Sequence, residues 1–291
     1  VIGITGASGF IGGKLKETLL NLGEEVIDID LRNLNLETAI SSLKENSIRC
    51  IVHLASPTPS SAPELQDEIE DVIINLGKLA IELAEKSDAR LVVASTIRIH
   101  PLDVLCFSRS SVIAPFDGYG RGKLLVEGIC QERFGNGNGK GCTLLRISSV
   151  QGIDNSGRAR GLVGFFARQV LSGKLTIMGD GYSTKNLLHV DDLVVAIRAA
   201  VDSTDGRVRE VYVGSEIGHT VKEIADTVVI AASRRGKSVE IVHIAPDQND
   251  LSGSIEDSSA AEYLGWSAEI GLERMVSEAL DSVLPREEGR L

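Results

Sequence analysis

Short apolar runs alternate along this chain with longer stretches whose apolar residues fall three and four apart, the pattern of strands followed by helices. Residues 1–5 are an apolar run that meets a glycine turn. Phe10, Ile11, Leu15, Leu19 and Leu22 then recur at helical spacing, and Gly23 stands where a helix would stop. A strand at 26–30, a helix to about 45 and a strand at 50–56 follow. Pro57, Pro59 and Pro63 mark a loop. Next come a long helix over 62–85 and a strand at 91–94 ending in Ser95 and Thr96. The periodicity fails from 97 to 118, an irregular loop over the carboxyl ends of the strands, where open α/β sheets form their ligand crevice. A helix at 119–134, a surface turn at 135–139 and a strand at 142–148 complete the regular part. Beyond it the pattern loosens into a helix at 162–171, a strand at 175–178, a turn at 179–181, a helix at 190–202 and a strand at 209–213. Helices near 220–233, 257–264 and 271–283 end the chain. This order predicts an α/β fold, a doubly wound parallel sheet with helices on both faces and a small discontinuous C-terminal lobe. The predicted division is 1–155 plus 187–213 for the sheet domain and 156–186 plus 214–291 for the lobe.

At 291 residues the chain can bury a sizeable core. A formal net charge of −11 leaves no broad basic footprint, which argues against nucleic acid and anionic membrane surfaces as partners. No apolar run reaches the length of a membrane span, and the N-terminus does not read as a signal peptide. The cysteines at 50, 106, 130 and 142 form no CxxC pair and read as reduced, packed thiols, which points to the cytoplasm. No cluster of His, Cys and carboxylates has metal-ligand spacing, so no metal is expected.

The first turn carries the clearest chemistry. Gly6, Gly9 and Gly12 lie between a strand and a helix, where unpaired N–H groups and the peptide dipoles favour a pyrophosphate. Gly6 can take the tight turn, Gly9 lets the backbone approach the phosphates, and Gly12 lets the helix pack closely on the strand. Asp30 ends the second strand 18 positions after Gly12, where the dinucleotide fold places its ribose-binding carboxylate. It would accept from both ribose hydroxyls and repel a 2′-phosphate, which argues for NAD over NADP. Arg32 is the counter-argument, as a guanidinium able to pair with that phosphate; its alternative is a solvated loop charge.

Tyr119 and Lys123 stand one helical turn apart on one face. A lysine cation, helped by an oxidised nicotinamide, would pull the tyrosine pKa below its reference of about 10 and make it a usable acid/base. Thr96, 23 residues earlier at a strand end, offers a hydroxyl to hold a substrate oxygen, and Ser95 is the alternative.

With these pieces the chain resembles the extended short-chain dehydrogenase/reductase superfamily, in particular its NAD-dependent nucleotide-sugar epimerase/dehydratase family. The resemblance spans nearly the whole chain, taking in His53-Leu54-Ala55, Asn75, Leu145-Arg146, Gly179-Asp180-Gly181, His189-Val190-Asp191-Asp192 and Leu264-Gly265-Trp266. It implies a Rossmann-type domain and a catalytic set of Thr96, Tyr119 and Lys123, with Tyr119 as the base and Lys123 on the nicotinamide ribose. It implies cofactor contacts from Gly6, Ser8, Gly9, Phe10, Ile11, Gly12, Asp30, Leu31 and Arg32. Asn35 and Leu36 would meet the adenine, Leu54, Ala55 and Ser56 would line the cofactor, and Asn75 would support the site's geometry.

The substrate side departs from the family. Ile97-Arg98 stand where the dehydratase branch usually carries Asp-Glu, and Ile99-His100-Pro101 replace Val-Tyr-Gly. Ser149 and Gln151 stand for an Asn and a Tyr, Lys185 followed by Asn186 for a phosphate-gripping arginine, and Asp247 for a second arginine. Arg98, His100, Ser149, Lys185 and Asn186 are the candidate substrate contacts, with Arg158 and Arg160 as possible replacements for the lost arginines. The function implied is epimerisation of a nucleotide sugar through a transient keto intermediate with NAD. The alternatives are an NAD(P)H-dependent reductase of a keto sugar or smaller ketone, and a non-catalytic dinucleotide-binding regulatory protein. A homodimer through 62–85 and 119–134 is implied as well.

Overall fold

The computed structural model describes residues 1–59, 62–65, 67–137, 139–247 and 250–284. The elements of the first half are β1 (Ile2–Thr5), α1 (Phe10–Asn21), β2 (Val26–Ile29), α2 (Leu36–Glu45), β3 (Cys50–His53), α3 (Ile69–Lys86), β4 (Arg90–Thr96), β5 (Cys106–Phe107), α4 (Gly118–Phe134) and β6 (Cys142–Ile147). Then come β7 (Ser149–Ile153), β8 (Ala159–Arg160), α5 (Gly161–Gln169), β9 (Lys174–Met178), β10 (Thr184–His189), α6 (Val190–Asp202) and β11 (Val208–Val213). The chain continues through β12 (Gly218–Thr220), α7 (Val221–Ser233), β13 (Glu240–Ile244), β14 (Ser254–Ile255), α8 (Ser259–Leu264) and α9 (Leu272–Val283).

Six strands make one parallel sheet in the order β11-β6-β4-β3-β1-β2. β1, β3, β4 and β6 are buried on both faces, as their continuous apolar runs require. Ile2, Leu15, Val52, Leu193 and Ile197 belong to the core on one face, and Ile51, Ile73, Leu91 and Val126 to the core on the other. A third core joins α5, α7 and α9 through Phe166, Ile224, Val228 and Val276.

Capping sets several of these boundaries. Asp117 caps α4 by accepting from the Gly120 N–H at 2.7 Å, and Thr220 with Glu223 forms a capping box on α7. The helix expected from 62 begins at Ile69, because Pro63–Leu65 close a separate 3-10 turn ahead of it. The loop expected at 97–118 contains a 3-10 turn at Ile97–Ile99 and the short β5. Of the surface turn expected at 135–139, Asn138 lies outside the described residues. Cys50, Cys130 and Cys142 are buried free thiols, and Cys106 is half-buried and free. Among the described residues no helix is long and apolar enough to cross a membrane.

Candidate active site

β1 delivers the chain into the glycine turn at the carboxyl edge of the sheet. Gly6 takes φ +73°, and a Cβ there would meet the Ala55 backbone nitrogen at 2.8 Å. At Gly12 a Cβ would lie 2.1 Å from the Gly6 carbonyl oxygen, so α1 packs on the turn only because both positions lack side chains. Gly9 is the N-cap of α1 and no side chain caps the helix, which leaves its first-turn N–H groups available to an anion. Thr5 fixes the neighbouring strand end: its Oγ1 accepts from the Leu54 and Ala55 N–H groups at 3.1 Å each, and pairs with His53 Nδ1 at 2.9 Å. Because Oγ1 already accepts twice, its own proton goes to Nδ1. Burial, with the Lys123 charge nearby, pushes His53 down to about 3 and keeps it neutral.

A cavity of about 490 Å3 opens above this turn, and Gly9, Leu54, Thr96, Tyr119 and Lys123 all line it. Lys123 is buried on α4 and donates to the Ala94 carbonyl at 2.7 Å. Burial lowers its pKa to about 8. The lowering expected for Tyr119 includes the charge of an oxidised nicotinamide, and the protein groups alone do not produce it. Burial pushes the phenol up to about 12, against the Arg98 charge and the Thr96 hydroxyl, which lower it. The Lys123 ammonium lies 5.7 Å from the centre of the tyrosine ring and is engaged on a carbonyl, so proximity in sequence does not become direct ion pairing.

The Lys123 shift gives a testable pH dependence. Lys123 has an ordinary pKa of 10.5 and a folded value of about 8, so below pH 8 the fold bears the full cost of a buried cation. Between about 8 and 10.5 the folded protein has lost that proton while the unfolded chain keeps it, and stability from this group rises with pH. Denaturant titrations across that window will show the rise in the wild type and not in Lys123→Met.

A second cavity of about 360 Å3 adjoins the first, and Thr96, Ile147 and Ser148 line both. Arg98, Ser149, Lys185 and Asn186 are on its wall, with the carboxylates of Asp247 and Asp250. The cations there are already paired. Arg98 donates to Asp117 Oδ2 from Nε at 3.0 Å and stacks over Phe116 at 4.6 Å. Lys185 pairs with Asp250 and donates to the Leu251 carbonyl at 2.6 Å. Asn186 donates to the Ser215 carbonyl at 2.6 Å and accepts from its N–H at 3.0 Å, which ties β10 to the loop after β11.

Gly6, Gly9, Phe10, Ile11, Gly12, Leu54 and Ser56 line the first cavity, whereas Ser8 is exposed outside its wall. Asp30 is exposed at the end of β2, and Arg32 donates to both its oxygens, from Nε at 3.0 Å and Nη2 at 3.3 Å. That hydrogen bonding holds the Asp30 carboxyl below the usual range. Leu31 is buried in the core, where Leu36 and Ala55 also pack, and the Asn35 side chain caps α2 by accepting from the Thr38 N–H at 3.0 Å. Asn75 is exposed on α3 and lines neither cavity. His100 is fully buried and also lines neither; its ring bonds the Val112 carbonyl at 2.6 Å and the Tyr212 hydroxyl at 2.8 Å.

That contact belongs to a network the sequence reading did not anticipate. Glu127 Oε1 accepts from Ser95 at 2.5 Å, Arg146 donates to both Glu127 oxygens at 3.2 and 2.7 Å, and Arg146 Nη1 donates to Tyr212 at 3.1 Å. It ties α4, β4, β6 and β11 together, with Ser95, the residue before Thr96, as one of its members. Glu127 stands at four-residue spacing after Tyr119 and Lys123, and Arg146 belongs to the Leu145-Arg146 pair noted in the sequence, but nothing in one sequence joins the two.

The model of the NAD dependent epimerase/dehydratase family matches residues 2–214. The chain belongs to that family. UDP-glucuronic acid decarboxylase 1 of Arabidopsis thaliana is 26% identical over 319 aligned residues, covering 99% of this chain and 71% of the plant protein. UDP-glucose 4-epimerase of Mycolicibacterium smegmatis is 26% identical, covering 96% of each. Among solved structures, MoeE5 in complex with UDP-glucuronic acid and NAD superposes with a TM-score of 0.82 at 22% identity, covering 97% of this chain and 98% of that one. UDP-glucose-4-epimerase from Stenotrophomonas maltophila, with bound NAD and formylated UDP-arabinopyranose, gives 0.84 at 19% identity, covering 97% of each. The relatives of this epimerase/dehydratase family member are thus decarboxylases as well as epimerases, on one Rossmann-type fold.

Proposed function

We propose that this chain is an NAD-dependent epimerase that acts on a nucleotide sugar through a transient keto intermediate. The observation that carries this reading is the meeting of two cavities at Thr96, one running from the glycine cradle to Tyr119 and Lys123, the other leading into the lobe. The cradle fits a dinucleotide, since the glycines clear space for a pyrophosphate at an uncapped helix end. Bound NAD supplies reversible hydride acceptance. Tyr119 takes the proton of the substrate hydroxyl, Thr96 holds the same oxygen, and Lys123 binds the nicotinamide ribose while its charge favours tyrosinate. The Tyr119 phenol, which burial holds up at about 12, would be brought down by the positive charge that bound NAD would supply. Asp30 would select NAD over NADP by exchanging its Arg32 contacts for the ribose hydroxyls. The absence of an Asp-Glu pair after Thr96, where Ile97-Arg98 stand, supports epimerisation over dehydration.

Residues 1–155 plus 187–213 form the dinucleotide domain in this reading and 156–186 plus 214–291 the substrate lobe, of which 285–291 lie outside the described residues. The enzyme works in the cytoplasm as a homodimer through α3 and α4, and light scattering of a monomer at micromolar concentration would remove that part. Incubation with UDP-hexoses tests the activity: interconversion of epimers with no net consumption of NAD is expected.

The paired cations favour a second reading. Arg98 and Lys185 are both engaged by carboxylates, and Asp247 adds negative charge to the same wall, so the second cavity is a weaker seat for a diphosphate than two free arginines would be. That favours a reductase of a keto sugar or a smaller ketone without a nucleotide. Stoichiometric oxidation of NADH or NADPH by such a ketone would decide for it.

A further inference from the structure

After β6 the chain folds back over the helix that the glycine turn opens. β7 and β8 pair antiparallel, with Gly152 opposite Arg160 and Ile153 opposite Ala159. Asp154 stiffens the turn between them: its Oδ1 accepts from the Ser156 N–H at 2.9 Å, the Ser156 hydroxyl at 2.6 Å and the Arg158 N–H at 3.1 Å. From this turn the Asn155 amide reaches α1, where a Cβ on Gly13 would stand 3.0 Å from its nitrogen. The hairpin therefore crosses the first turns of α1. Arg160 and Gly161 line the same cavity as Gly9, Phe10, Ile11 and Gly12. Gly161 has φ +79°, and a Cβ there would meet Gln151 Oε1 at 2.3 Å, so the chain passes this close to the cavity only as glycine.

Charge distinguishes Arg160 from the other cations of the two cavities. Lys123, Arg98 and Lys185 each donate to a carbonyl or carboxylate. Among the described residues the ion-pair partner of Arg160 is Asp154 Oδ2 at 3.8 Å, beyond hydrogen-bond distance, and its side chain is 40% exposed. Asp154 is also the carboxylate that holds the turn. The guanidinium keeps its donors available, and Arg160 lines the cavity onto which the uncapped end of α1 opens.

We propose that Arg160 binds the pyrophosphate of the dinucleotide from the side opposite α1, and that the β7–β8 hairpin is a clasp over the cofactor. This rests on the NAD reading of the first cavity. A fork of N–H donors suits two phosphate oxygens, and α1 supplies the backbone N–H groups on the other side. The clasp comes from the segment that leads into the lobe, which couples cofactor retention to the element that also begins α5.

The test uses full-length protein freed of cofactor, with R160M and R160K, titrated calorimetrically with NAD, ADP and adenosine. R160M is expected to weaken ADP by about tenfold or more, the scale of one charge-assisted contact, and to leave adenosine unchanged. R160K should recover part of the loss, and the salt dependence of ADP binding should be shallower in R160M. Equal weakening of ADP and adenosine would make the arginine merely structural and overturn the proposal, as would no weakening at all. If the wild type binds neither NAD nor ADP, the cofactor reading itself falls. If it binds both and R160M is indifferent, only the clasp falls.

Discussion

Tyr119→Phe will lower turnover by about a thousandfold or more while NAD binds with nearly wild-type affinity. The phenol oxygen is the only part removed, and Tyr119 sits on the wall of the glycine-turn cavity beside Thr96 and Lys123. Its pKa of about 12 sharpens the expectation. A tyrosine so disfavoured as an anion needs the positive charges of the occupied site to act as a base, so chemistry and cofactor binding are coupled through electrostatics. Single-turnover kinetics together with NAD titration will separate the two. Turnover within about tenfold of wild type would remove Tyr119 from the catalytic assignment.

The largest effect on stability is expected at Glu127. Its side chain is 4% exposed and that of Arg146 is 2% exposed, so the pair is removed from water almost completely. Arg146 contributes two donors to Glu127 and one to Tyr212, and Ser95 completes the carboxylate. Glu127→Ala leaves a buried guanidinium with Glu210, at 3.1 Å and partly exposed, as its remaining charged partner. Breaking one side of such a pair costs about 3–5 kcal/mol, whereas replacing both sides by apolar residues costs much less. Urea unfolding of Glu127→Ala and of Glu127→Met with Arg146→Met will show whether the single variant is the weaker. Because Ser95 precedes Thr96, the single variant should also lose more activity than its folded fraction accounts for.

The parts of this architecture that follow a strong period could be read from the sequence. The parallel sheet is one: β1, β3, β4 and β6 are continuous apolar runs between amphipathic helices, and buried parallel strands require that pattern. The glycine turn is another, since a Cβ at Gly12 or Gly6 would come within 2.1 or 2.8 Å of neighbouring backbone, which no side chain permits. Legibility declined where pairing is long-range. β7 finds β10, and β9, expected as a strand at 175–178, finds β13 some 66 residues away, with no local signal to name either partner. The Asp30–Arg32 pair shows why charge is hard to read from spacing alone. Asp30 was expected on the ribose hydroxyls and Arg32 on a 2′-phosphate or in solvent, yet the structure joins them to one another. His100 makes the same point. Its position beside Thr96 suggested a substrate contact, but its ring is engaged between Val112 and Tyr212, the second of which is 112 residues away in sequence. Lobe positions are harder still, because Lys185 meets Asp250 only after three further strands have been placed.

The central claim is that the glycine-turn cavity holds NAD for chemistry at Tyr119. The most direct measurement is mass spectrometry of the small molecules released when the purified protein is denatured, followed by titration of the emptied protein with NAD and NADP. Release of NAD in near-stoichiometric amount, or uptake of added NAD in preference to NADP, is the predicted result. A protein that releases no dinucleotide and takes up neither, or that prefers NADP, would contradict the account.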